Sequence, residues 1–141
     1  ILPWSPMGQG LLTGKVTCAD QVQPGRQRSR LFSSKRPQQR HGESGLEEET
    51  FSAIRKMNWI ADRLDQPLAN VALAWARDQP AVTSVLMGAR TETQLKRNLT
   101  SLRLTLDPTV VELLNDAGAE VKQKLGTNLD PYESEDSTRI V

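Results

Sequence analysis

The sequence is poor in the residues that build cysteine and histidine chemistry. Cys18 is the only cysteine among 141 residues, so no internal disulfide can form, and a reducing, cytoplasmic setting is the default. His41 is the only histidine. One Cys and one His cannot furnish a Cys/His metal cluster, and a Ser-His-Asp triad would have to use His41. No apolar run approaches the roughly 18 residues of a membrane span, and no charged-then-apolar N-terminal signal is present, so no membrane partner is expected. Net charge is +1, which gives no global pull toward nucleic acid. With 37% hydrophobic and 25% charged residues, the composition is that of one globular domain.

Charge is less even locally. Six basic residues and no acidic ones fall between Gln21 and Gly42 (Arg26, Arg28, Arg30, Lys35, Arg36 and Arg40), punctuated by Pro24-Gly25 and Pro37. The stretch lacks apolar periodicity and reads as a basic loop at about 16–45, far longer than the usual connection of about 4–6 residues.

Elsewhere the pattern alternates between two kinds of element. Ile1 to Ser5 reads as a short buried strand stopped by Pro6, followed by Gly8, Gly10 and Gly14. From Leu46 to Leu64, Phe51, Ile54, Met57, Ile60, Ala61 and Leu64 recur at helical spacing, with Glu47 to Glu49 at the positive end of the dipole. Pro67 opens a second helix through Ala76, and VTSVLMG (Val82 to Gly88) reads as a strand covered on both faces. Thr91 can cap the next helix, and Asp107-Pro108 opens another that Gly126 stops. Residues 126–141 form a polar tail, expected to be extended. The class expected is α/β, with parallel strands joined by helical crossovers. Two central-type strands cannot close a core alone, so the chain reads as part of a larger unit, beginning on an interior strand because the preceding ones are missing.

Two loops carry the candidate chemistry, each at the C-terminal end of an expected strand. In Trp4-Ser5-Pro6-Met7-Gly8-Gln9-Gly10, an indole suits ring stacking and glycine-exposed N–H groups suit a diphosphate; a core Trp followed by a tight turn is the plainer reading. In Gly88-Ala89-Arg90-Thr91, a glycine allows close approach, a helix N-terminus faces an anion, and Arg90 offers a planar fork for phosphate. Gln94, Arg97 and Asn98 share one face of the helix that follows; the plainer reading is a solvated polar face.

WSPMGQGLLTGK and SVLMGARTETQLKRNL resemble the seventh- and eighth-strand segments of the aldo-keto reductases, in the branch near the potassium-channel β subunits and related bacterial oxidoreductases. The resemblance runs from Ile1 to about Leu125 and implies the C-terminal part of a (β/α)8 TIM barrel, about two strands with their helices, in an NADP-dependent oxidoreductase domain. It implies NADP(H), with Trp4 stacked on the nicotinamide and Ser5, Pro6, Met7, Gly8 and Gln9 along the diphosphate. Lys15 would pair its charge and Arg28 would cover the adenine. Gly88 and Arg90 would hold the 2′-phosphate, with Gln94, Arg97 and Asn98 around the adenosine; Arg97 stands where Glu is common.

The family's Asp-Tyr-Lys-His tetrad cannot be placed: the only tyrosine, Tyr132, is in the tail, and His41 is in the loop. The expected function is therefore the cofactor-binding part of a reductase that turns a small-molecule aldehyde or ketone into an alcohol by hydride transfer. This chain would be inactive without a missing N-terminal half-barrel. The alternatives are a redox-sensing regulatory subunit without turnover and an inactive fragment. His41 reads as a solvated loop residue, and Trp59 and Trp75 as packing anchors.

Overall fold

The computed structural model describes residues 1–137, and their regular structure is helical. Four α-helices form: α1 (Glu47–Arg63), α2 (Leu68–Arg77), α3 (Glu92–Leu99) and α4 (Pro108–Leu125). Short 3-10 turns occupy Gly8–Thr13, Ala19–Gln21, Thr100–Arg103 and Glu135–Ser137.

Local chemistry sets the helix ends. Glu47, Glu48 and Glu49 fill the first turn of α1, where the dipole favours negative charge, and Arg63 lies in its last. Pro67 precedes α2, and its carbonyl accepts from Asn70 and Val71 at 2.9 and 3.2 Å. Asp107 accepts from the Thr109 N–H at 2.9 Å before α4, and Gly126, at φ 72°, follows it in the left-handed region.

The expected α/β class is corrected. No β-strand forms among the described residues, and so the part-barrel expectation falls. Residues near Ile1 and near Val82 do run side by side in parallel, but only as an isolated bridge, Trp4 to Leu86. The backbone shows why. Thr83 donates to Ile1 O and Leu86 to Pro3 O, both at 3.0 Å. A parallel ladder advances two residues on each segment between such bonds. Here one segment advances two, Ile1 to Pro3, while the other advances three, Thr83 to Leu86. The extra residue breaks the ladder as a bulge does, and Pro3 has no N–H to give. Nor are the segments buried: Ile1, Leu2, Trp4 and Leu86 are exposed.

The chain divides into two compact units, Ile1–Lys15 with Lys56–Asn115, and Val16–Arg55 with Asp116 onward. In the first, α2 is the central element, packing against α3 and the turns Gly8–Thr13 and Thr100–Arg103. Val71 and Ala74 are fully buried, and Leu11, Leu68, Leu73, Leu106 and Leu114 are nearly so. Buried Asn70 donates to Thr100 Oγ1 at 2.7 Å. Arg77 closes the unit: its guanidinium donates to the carbonyls of Ser101 and Leu104, each at 2.8 Å, and to Asp78 at 2.6 and 2.7 Å. Trp75 donates to Asn115 Oδ1 at 3.0 Å. Trp59 is no packing anchor; it is exposed, with the Arg63 guanidinium 4.0 Å above its ring.

In the second unit Phe32 is fully buried, edge-on to Phe51 and under the Arg36 guanidinium. The basic loop is held by the tail, which is folded back where extended chain was expected; residues 138–141 of that expectation lie outside the described ones. Arg30 donates to the carbonyls of Leu125, Asn128 and Asp130 at 3.0, 2.8 and 3.0 Å, and its own N–H to Pro131 O at 2.7 Å. Gly45, at φ 89°, tolerates no side chain, because a Cβ would collide with the Ser33 backbone.

Replacing Arg30 with Ala strands three carbonyls and should lower stability by on the order of 3 kcal/mol, read as a lower urea midpoint. An unchanged midpoint would show that the tail is not clamped. The Arg77 guanidinium beside Asp78 holds that carboxyl below its ordinary value. A depressed folded pKa means the contribution is fully present above the unfolded value, about 3.8, and is lost as pH falls through the folded one. Asp78→Asn should therefore lose less stability than the parent between about pH 5 and about pH 2 in urea titrations.

Candidate functional site

Twelve of the expected site residues belong to the first unit: Trp4, Ser5, Pro6, Met7, Gly8, Gln9, Lys15, Gly88, Arg90, Gln94, Arg97 and Asn98. Arg28 belongs to the second. Because Trp4 lies beside Leu86 in parallel, the loop after Trp4 and the loop after Leu86 leave the same end of the paired segments. The Trp4 indole stands there more than half exposed.

The first loop is closed on itself. Gly8 donates to Ser5 O at 2.8 Å, and Gly10 and Leu12 donate to Met7 O at 3.0 and 3.1 Å. Ser5 and Gln9 sit at φ 52° and 53°, a left-handed conformation unusual for residues with a side chain. The second loop is similarly committed. Thr91 caps α3 by accepting from the Gln94 N–H at 3.2 Å, and Gln94 Oε1 accepts from the Arg90 N–H at 3.0 Å. Glu92 occupies the first turn. Asn98 is buried and donates to Met87 Sδ at 3.2 Å. Lys15, Gly88, Arg90 and Arg97 are exposed.

The residues present do not fit the expected NADP(H). Among the described residues no sheet carries the two loops, three backbone donors of the first are spent in its own turn, and the Arg90 and Gln94 N–H groups at the start of α3 go to Gln94 Oε1 and Thr91 Oγ1. The reductase function and its enzyme class lose their scaffold, and so do the cofactor-sensing alternative, the carbonyl substrate and the half-barrel partner. Among the described residues no group of three or more His, Cys, Asp or Glu could hold a metal ion, and no helix is long and apolar enough to cross a membrane.

Sequence reasoning missed three ordering side chains. Arg77 had a signal, its place in the last turn of a helix before an Asp. Arg30 had none, since its partners lie about 100 residues away. His41, expected in solvent, has a fully buried side chain with Nδ1 3.0 Å from Glu43 Oε2.

Residues 1–119 match the profile of the aldo/keto reductase family, and the chain belongs to that family. It is 31% identical over 116 residues to "Uncharacterized oxidoreductase YrpG" of Bacillus subtilis (strain 168), covering 82% of this chain and 31% of that protein. It is 33% identical over 111 residues to "Probable voltage-gated potassium channel subunit beta" of Oryza sativa subsp. japonica, covering 77% of this chain and 32% of that one. With "Protein tas" of Escherichia coli (strain K12) the identity is 39% over 111 residues, 79% of this chain and 30% of the relative. The chain thus spans about a third of the length of these curated relatives.

Thr91→Ala should cost about 1 kcal/mol and speed amide exchange at Gln94. Unchanged exchange there would mean that the cap contributes nothing to α3.

Proposed function

We propose that this chain works by association, accepting an extended stretch of polypeptide from outside these 141 residues against its paired segments Ile1–Trp4 and Val82–Leu86. The observation that carries this reading is the exposure of four large apolar side chains on those segments: Ile1 73%, Leu2 56%, Trp4 59% and Leu86 53%. Extended backbone with apolar side chains left in water is the template that strand addition uses. Covering such side chains contributes up to about 1.5–3 kcal/mol each. The relatives are about three times as long, so further polypeptide is available in them. On this reading Trp4 is a contact for the arriving segment, and no reaction is assigned to the chain. An exposed, free Cys18 suits a reducing cytoplasm as the setting.

The test compares amide exchange in the 141-residue chain expressed alone with exchange in the protein isolated from its source. The amides of Leu2, Ser84, Val85 and Met87 should exchange rapidly in the first and be protected in the second. Equal exchange in both would refute the reading. Trp4→Ala should leave the chain's own stability within about 0.5 kcal/mol, while weakening association by about tenfold or more.

A further inference from the structure

The second unit contains a cavity of about 140 Å³ that neither the family nor the association reading uses. Its lining includes Arg30, Glu43, Ser44, Leu46, Lys124 and Leu125. We propose that it is a site for a small zwitterion, an α-amino acid the size of alanine or serine, with its carboxylate toward Arg30 and Lys124 and its ammonium toward Glu43.

The argument is one of spare hydrogen-bonding capacity. Arg30 is only 8% exposed and commits three of the five N–H donors of a guanidinium to the carbonyls of Leu125, Asn128 and Asp130. One donor on Nη1 and one on Nη2 are left on a buried, permanently charged group that lines the cavity, and a carboxylate is the acceptor such a group favours. Lys124 gives two of its three donors to Glu49 and Glu120, at 2.6 and 3.0 Å, and keeps one. Glu43 receives the Ser134 hydroxyl at 3.1 Å and faces His41 Nδ1 at 3.0 Å, both on Oε2. Among the described residues Oε1 has no partner.

Charge and size then select the ligand. A simple anion would meet the Glu43 carboxylate, and a simple cation would meet Arg30 and Lys124. Only a molecule with both charges complements the wall. The volume is that of about four or five waters, enough for about six heavy atoms, and Leu46 and Leu125 give a short side chain an apolar contact.

The test is calorimetric titration of the 141-residue chain with L-alanine, and separately with sodium acetate and methylammonium chloride, which carry one charge each. L-alanine should saturate at about 1 mM or below, at least tenfold tighter than either single-charge ligand. Glu43→Gln should weaken L-alanine about tenfold and, with the repelling carboxylate gone, strengthen acetate. Ser44→Trp, a change at an exposed lining position outside the charged network, should abolish binding with the circular dichroism spectrum unaltered. No heat from L-alanine up to about 20 mM, acetate binding as tightly as alanine, or full binding to a folded Ser44→Trp chain would each overturn the proposal.

Discussion

A backbone that leaves regular structure must still hand its carbonyls to donors, and in this chain guanidinium groups take them. Arg30 collects the carbonyls of Leu125, Asn128 and Asp130, so one side chain ties the end of α4 and the tail to the basic loop. Arg77 does the equivalent in the first unit, taking Ser101 and Leu104 from the turn after α3. Both are charged donors on sparsely ordered backbone, the strongest kind of neutral-acceptor bond a protein can make. What surrounds them follows from this. The tail stays close enough to bring Ser134 to Glu43 and Gly42, and Glu43 in turn lies beside His41.

Helices were legible because their causes are local. The glutamates at 47–49, the cap at Thr91, and Asp107 and Gly126 at the ends of α4 act within a turn of the residues they affect. The strands were misread because strand formation depends on a neighbour. VTSVLMG has a composition compatible with a strand, yet the residues beside it include a proline without an N–H and step out of register by one. The candidate site was half legible. That the loops after Trp4 and Leu86 leave the same end could be anticipated from two parallel segments. That Gly8 and Gly10 would turn their donors inward could not, because glycine permits both directions.

Membership of the aldo/keto reductase family and possession of a reductase site are separable in this chain. Residues 1–119 carry the family's pattern, while the described residues carry neither a sheet nor an open cradle of donors. The pattern records which side chains follow one another; a site also needs backbone held in register by partners. Here the only pairing of the two segments among the described residues is the single bridge from Trp4 to Leu86, with both side chains exposed.

The clamp on Arg30 also sets a timetable for synthesis. Its acceptor Asp130 lies 100 residues further along the chain. At about 5–20 residues per second, the basic loop leaves the ribosome about 5–20 seconds before the carbonyls that order it. α1 and α2 can form in that interval, but six uncovered basic residues must wait beside a strongly anionic particle until the last turn of α4 and the tail emerge. Residues translated about 100 positions later are thus among the first that the loop requires, and a ribosome stalled after α3 would display it unfolded.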